Sequence, residues 1–440
     1  MMYQRGSATL SVCIGIAMLS MTACKKDDYT QLLPQITDNG LATGKTSIIA
    51  GDSVRLYPKL NERTNTTYQW LVNQKNAGTD SVYTFKTDSA GTYLVQFTAA
   101  NTSGQISTQY EIQVSGKYEH GILLVNEGWF GHENGSVNFY RYGQDTVETM
   151  VYHHTNPGKD LGVTTQYGAV HNGRLYLVSK QGPLVVADAK SLKETGRITT
   201  LPANGRAFLG LDNNNGLLST ASGIYKLDLN TLTVGDKIPN ADGQIGAMLA
   251  AGDHLFIISQ SKGLLILRKS DFGLVKNITG INQGLSKTPD GALWVAGGSN
   301  LVKINTTTLD TNRIVLPFSL GSPWSAWNVG TVTTSTTENA VFLAQTMSWG
   351  AGGTKLYKYK SGDISSVAAP IATLPAGKEF YGGAVGYYAA KNELVVTAVQ
   401  SGYGQNYQYN SLYFYDAANG SLKKTINYQH FYFPALMLFN

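Results

Sequence analysis

Cysteine and charge are both scarce in this chain, and each scarcity narrows what it can be. Only Cys13 and Cys24 are present, both close to the N-terminus. No disulfide can staple the remaining chain, and no thiolate metal site can form in it. Charged residues make up only 14% of the sequence, and the net charge is a modest +5. No basic cluster is dense enough to track a phosphate backbone, which argues against nucleic acid as a partner. Catalytic signatures are also missing. There is no Gly-x-Ser-x-Gly elbow, no His-Glu-x-x-His and no phosphate-cradling glycine loop. The sequence therefore predicts neither an enzyme nor a resident metal or cofactor. What is abundant is glycine (48) and tyrosine (26) over 440 residues. That balance suits many short strands joined by tight turns rather than a helical bundle.

The first residues read as an address. Arg5 precedes an apolar run, Ala8 to Leu19, that contains Gly15 and is too short to span a bilayer. Met21-Thr22-Ala23-Cys24 follows. Small residues before a cysteine resemble the bacterial lipobox, which implies a signal peptide over 1–23 and lipidation of Cys24. An ordinary secretory signal with an incidental cysteine is the alternative. Acyl chains on one residue would hold the protein on a membrane. Lys25-Lys26-Asp27-Asp28 resembles the charged export signal of Bacteroidetes surface lipoproteins, implying an outer-membrane protein that faces the cell exterior. Residues 24–40, polar with Pro34, read as a lipidated tether.

From about Leu41 to Gly116 the pattern becomes that of strands. Ser47–Ala50 and Ser53–Pro58 flank a Gly51-Asp52 turn, and Tyr68-Gln69-Trp70-Leu71-Val72 alternates with Trp70 inward. About six or seven such strands in some 75 residues predict a β-sandwich. The Tyr-x-Trp, Ala-Gly-Thr-Tyr-x-Val and Asn-x-x-Gly order resembles PKD-like and bacterial Ig-like modules. Trp70 and Tyr93 are then core residues, and the module is a spacer.

Residues 117–440 carry an internal repeat with a period of about 40 to 50 residues. One unit reads Gln166-Tyr167-Gly168-Ala169-Val170, then the turn His171-Asn172-Gly173, then Arg174 to Val178, Leu184 to Asp188 and Glu194 to Ile198. Five further units follow at about Phe208, Gln244, Gly284, Trp327 and Phe380. Gly121 to Val151 holds only three strands, ending in Thr149-Met150-Val151, and lacks a first one. Pro434 to Leu438 is a first strand without successors. Joined, they complete a seventh unit. The predicted fold is all-β: an N-terminal PKD/Ig-like β-sandwich followed by a seven-bladed β-propeller with a split closing blade. A single barrel of about 28 strands fits poorly, because the strands group in fours.

Propeller geometry brings the entries to the first strands, and the loops joining second and third strands, to one rim. That rim collects Trp129, Phe130, Tyr167, Arg206, Gln244, Gln283, Trp324, Trp327, Trp349, Tyr381, Tyr403, Tyr407 and Tyr432 as candidate ligand-binding residues. Aromatic faces with amide and guanidinium edges suit a large, partly flat ligand with amide or hydroxyl edges. Packing of the loops on themselves is the plain alternative for any one of these aromatics. Trp294, in mid-strand, reads as core. His153-His154 read as a surface pair whose side chains diverge on a strand.

Leu124-Val125-Asn126-Glu127-Gly128-Trp129-Phe130-Gly131, followed by Asn134-Gly135-Ser136-Val137, resembles the opening of the YncE-like propeller in a family of Bacteroidetes surface lipoproteins. That family includes the cobalamin-binding BtuG proteins, and a PKD-like module and lipid anchor are common companions in it. The resemblance covers Gly121 to Asn440. It implies capture of a nutrient, a corrinoid (cobalamin) above all, for a TonB-dependent outer-membrane transporter. No ligand contact is carried over from it residue by residue. The rival readings are a glycan- or protein-binding propeller, and a propeller lyase or hydrolase using His132, Glu133 and Arg206.

Overall fold

A computed structural model describes residues 31–320, 332–345 and 352–440. The chain divides into two compact units. In the first, five strands form a sheet in the order Lys45–Ile49, Gly104–Ser115, Gly91–Asn101, Thr67–Val72, Lys75–Gly78, and Ser53–Leu56 pairs with Tyr83–Lys86. The strands flanking Gly51-Asp52 thus lie in different sheets and do not form a hairpin with each other. Trp70 is fully buried. Its ring packs on Phe97 at 4.7 Å, Tyr83 at 5.4 Å and Tyr110 at 6.1 Å, and its Nε1 donates to the Asp80 carbonyl at 2.8 Å. Burying the ring while satisfying its single polar atom is what lets a tryptophan nucleate so small a core. Tyr93 is half-buried against Phe85. Within the stretch read as a tether, Ile36–Asp38 forms a strand on Lys59–Leu60, because the Gln35 amide and Asn61 Oδ1 bond at 2.7 Å and align the two.

The second unit is a seven-bladed propeller. Blades one to three are four-stranded sheets: Val163–His171 to Glu194–Ile198, Gly205–Gly210 to Thr233–Asp242, and Ile245–Ala251 to Leu274–Ile278. Blade four runs Gln283–Lys287, Leu293–Ile304 and Thr311–Leu320. Blade five runs Val332–Thr334, Ala340–Ala344, Lys355–Lys360 and Ala372–Thr373. Blade six, Lys378–Tyr388 to Leu422–Gln429, touches the split blade through one parallel bridge, Gly383 to Leu436. The turn Asn172-Gly173 has φ of 49° and 72°, the left-handed pair that a two-residue hairpin needs.

A period of two in the strands builds the ring. Leu123 and Val125 of the split blade face blade one, in a cluster with Leu175, Leu177 and Val185. Ile122 and Leu124 face blade six, in a cluster with Val395, Leu412 and Phe414. Equivalent apolar clusters fill every other junction between neighbouring blades. Strands buried on both faces are mainly apolar: Gly121–Asn126 is buried at every position, and its one polar side chain, Asn126, donates to Ser136 Oγ at 3.2 Å. Trp294 is core between blades four and five, its Nε1 donating to Thr288 Oγ1 at 2.9 Å.

The ring is closed by Pro434–Phe439 running antiparallel to Gly121–Asn126, with Leu123 opposite Leu438 and Val125 opposite Leu436. Gly121 and Asn440 exchange backbone bonds at 2.9 and 3.0 Å. The third strand of this blade is Ser136–Arg141 and the last is only Val147–Glu148. Val151 is not in that strand, as the pattern suggested, but opens a short helix, Val151–Thr155. His153 and His154 therefore lie on a helix, where burial of Val151 and Tyr152 against the split-blade core overrides the strand pattern. His153 Nε2 sits 3.4 Å from Asp160.

Beside this helix, the Glu194 carboxylate accepts from Arg197 at 2.6 Å, from Lys159 at 3.0 Å and from the Tyr152 hydroxyl. Burial opposes its ionisation, but these bonds hold its pKa down to about 2 from an ordinary 4.5. A depressed folded pKa stabilises above the unfolded value and loses that stability as pH falls towards the folded one. The wild-type melting temperature should therefore drop steeply between about pH 4.5 and 2. Glu194→Gln should melt lower at pH 7 and respond less to acid, a comparison that calorimetry at several pH values provides. Deleting residues 434–440 strips one strand and uncovers the cores on both sides of the split blade. The loss, on the order of 5 kcal/mol or more, should abolish the cooperative transition. A truncated protein with an unchanged melting temperature would contradict a clasp.

Candidate functional site

The loop from Glu127 to Gly135 leaves the second strand of the split blade and is built on close backbone contact. Gly128 has φ of 73°, and a Cβ there would collide with the Asn134 carbonyl. The turn exposes Phe130 and half-buries Trp129. Trp129 packs on Tyr432 at 5.0 Å and on His132 at 4.4 Å. Lys180 of blade one places its ammonium 5.1 Å from the Phe130 ring centre. In blade six the loop after Gln400 carries Tyr403 and then a turn, Gly404–Gln408, that buries Tyr407. Tyr407 packs on Tyr381, Tyr403 and Phe433 at 5.3 to 5.4 Å. Trp129, Tyr381, Tyr403, Tyr407, Tyr432 and Phe433 thus form one aromatic cluster on the rim, contributed by blade six and the split blade.

Blades one to four place polar side chains at the same rim. Gln166 is fully buried and its Nε2 donates to the Gly205 carbonyl at 2.7 Å. Arg206 is 6% exposed and its Nη2 donates to Gln244 Oε1. Gln244 Nε2 donates in turn to Gln260 Oε1 at 2.8 Å. Gln283 Nε2 donates to the Leu320 carbonyl at 3.3 Å. The rim therefore has two arcs, one aromatic and one of amides and a guanidinium.

Glu127 stands where the arcs meet. It is 3% exposed, its amide donates to the Phe433 carbonyl at 2.8 Å, and its carbonyl accepts from Thr165 at 3.2 Å. Burial raises its carboxyl to about 8, against the opposing pull of a hydrogen bond with Tyr381 and the charges of Lys180 and Arg206. Burial also lowers the Arg206 pKa, and the Glu127 charge opposes that. Glu379, 6% exposed, accepts from the Gly352 amide at 3.2 Å, and burial together with this carboxylate pushes the Tyr407 hydroxyl pKa up.

Of the residues expected at the rim, the structure gathers Arg206 and Gln244 into the polar arc and places Gln283 at the equivalent position. It gathers Trp129, Tyr381, Tyr403, Tyr407 and Tyr432 into the aromatic arc, with Phe130 beside it. Tyr167 instead packs its ring against the cores on both sides of blade one, and burial pushes its hydroxyl up to about 12. Trp324, Trp327, Trp349 and Cys24 lie outside the described residues. Sequence reasoning put Glu127 and Gln166 on rim segments without counting them as ligand-binding residues, and it passed over Lys180 and Glu379. The signal for Glu127 was a carboxylate two residues after the apolar run Ile122–Val125, a place where a charge is costly. Among the described residues, no cluster of three or more His, Cys, Asp or Glu could hold a metal ion, and no helix is long and apolar enough to cross a membrane.

A family model described as a domain of unknown function (DUF5074) matches residues 120–440. The chain belongs to the DUF5074 family. A PKD-like domain model matches residues 34–101, ahead of the DUF5074 propeller. No curated protein sequence matches the chain. Among solved structures, the chain is similar to a quinonprotein alcohol dehydrogenase-like protein from Bacteroides thetaiotaomicron. The two are 19% identical with a TM-score of 0.60, over 92% of this chain and 99% of that one. A dihydro-heme d1 dehydrogenase, NirN, aligns at 13% identity and a TM-score of 0.45 over 71% of this chain and 74% of that one. At such identities the likeness concerns the fold alone.

Tyr403 adopts φ of 54° and ψ of 177°, a region that is almost exclusively glycine's and costs about 1–3 kcal/mol for other residues. Strain of this kind persists where the surroundings hold it, and here the ring packs on Tyr407 at 5.4 Å and Phe433 at 5.9 Å. Tyr403→Gly should relieve the strain while removing the ring. Its melting temperature should stay within a few degrees of wild type, and any ligand that the aromatic arc holds should bind at least about tenfold more weakly. A large loss of stability with binding intact would assign Tyr403 to packing alone.

Proposed function

We propose that this protein is a lipid-anchored, cell-surface binding protein. It captures a large, partly flat ligand on the rim of its propeller, a corrinoid such as cobalamin, and passes it to a TonB-dependent outer-membrane transporter. The observation that carries this reading is the division of one rim into an aromatic arc from blade six and the split blade and a polar arc from blades one to four. A ligand with a broad apolar face and a hydrogen-bonding edge is complementary to both arcs at once. Neither arc alone suits such a molecule.

Lipidation of Cys24 and display on the outer leaflet follow from the sequence motif, and they fit the ligand reading physically. A tethered protein with an open rim holds its cargo at the membrane surface, where a transporter can take it. The PKD-like module ahead of the propeller serves in this scheme as a spacer.

Titration of the purified protein with cyanocobalamin by calorimetry is the direct test. Saturable binding is expected, and Tyr381→Ala or Trp129→Ala should weaken it by about tenfold or more, equal to 1.4 kcal/mol. Absence of heat at tens of micromolar would remove the corrinoid. A glycan array then decides whether the aromatic arc stacks on sugars instead.

A further inference from the structure

Three side chains of the polar arc are buried with polar atoms that have no hydrogen-bond partner among the described residues. They are Glu127 through Oε1, Gln166 through Oε1, and Arg206 through Nε and Nη1. Their exposures are 3%, 0% and 6%. Each such orphan costs about 1–3 kcal/mol, more when charged, so native proteins keep few of them without a use. These come from three consecutive blades: the split blade, blade one and blade two.

Hydrogen bonds fix the three in one arc. The Thr165 amide joins Glu127 to the residue before Gln166 at 3.2 Å. Gln166 Nε2 binds the carbonyl of Gly205, the residue before Arg206, at 2.7 Å. Arg206 is held from its far side by Gln244, itself tied to Gln260. The first of these bonds joins backbone to backbone and the others position side chains, and all of them leave the orphan atoms unused. The orphan atoms comprise two acceptor oxygens and two N–H donors.

We propose that Glu127, Gln166 and Arg206 form a subsite on the first rim for an uncharged group that both donates and accepts hydrogen bonds, of the primary carboxamide type. The proposal rests on the rim being a ligand site. An amide oxygen accepts from Arg206, and its NH2 donates to Gln166 Oε1 and Glu127 Oε1. An anion meets the lone pairs of two acceptor oxygens, and a cation meets Arg206 with Lys180 near Glu127. A neutral amide meets neither obstacle, and Tyr381 flanks Glu127 on the aromatic side. In either protonation state of Glu127 the Gln166 acceptor and the Arg206 donors remain, so both kinds of partner are present.

The probes are propionamide, propionate and propylamine, small enough to enter without engaging the aromatic arc. Saturation-transfer NMR on the purified full chain at pH 7 is expected to show propionamide binding at least about tenfold tighter than either charged analogue. Arg206→Met and Gln166→Leu should each weaken propionamide by a similar factor. A crystal soaked with propionamide should show it within hydrogen-bond distance of all three side chains. Propionate binding in preference would overturn the proposal in favour of an anion site. Ordered waters on the orphan atoms, with no probe bound, would overturn it altogether. The wild-type comparison of the three probes stands even if a variant fails to fold. Cobalamin binding without propionamide binding would sink this subsite while leaving the rim reading intact, whereas propionamide binding without cobalamin would do the reverse.

Discussion

The constraint on which the propeller depends is the pairing of Pro434–Phe439 with Gly121–Asn126. A ring of sheets has no stable open form of the same kind, because every blade buries both its faces against neighbours. Leu123 and Val125 reach one way and Ile122 and Leu124 the other, so a single strand serves two cores. Antiparallel closure supplies the partners that these buried backbone groups require. The cost is a contact between residues about 300 positions apart, whose loop-closure entropy is large but grows only slowly with length.

Closure also builds the site. Phe433 precedes the clasp strand, and its carbonyl holds the Glu127 amide; the Tyr432 carbonyl accepts from Gly128. The residues that close the ring therefore set the loop carrying Trp129 and Phe130. The aromatic arc is assembled from the two blades that meet at the single parallel bridge from Gly383 to Leu436. Polar side chains accumulate on blades one to four, whose first strands carry Gln166, Arg206, Gln244 and Gln283 at or near their entries. Fold closure and ligand recognition thus draw on the same short segment.

Much of the fold was legible because strands leave a period of two and propellers leave a longer repeat. The split blade was visible as a three-strand unit at one end and a solitary strand at the other. Trp70 was legible as core from the alternation of its strand and Trp294 from its place in mid-strand. What escaped was local. Val151–Thr155 became a helix because Tyr152 could be buried there and bonded to Glu194, a contact 42 residues away. Ile36–Asp38 became a strand because Lys59–Leu60 was available to pair with it. Tyr167 looked like a rim residue but was drawn between two cores by its neighbours.

By itself the sequence determined the architecture: the number of repeating units, the order of strands within each, and the rim where long aromatic loops gather. These follow from periodicity and turn chemistry, which are properties of neighbours in the chain. Only the tertiary structure decided how the rim is divided, and that Glu127, Gln166 and Arg206 share one buried arc with unused polar atoms. No periodicity encodes that arrangement. It exists because three blades converge there, and because burial turns ordinary polar side chains into groups that must find partners.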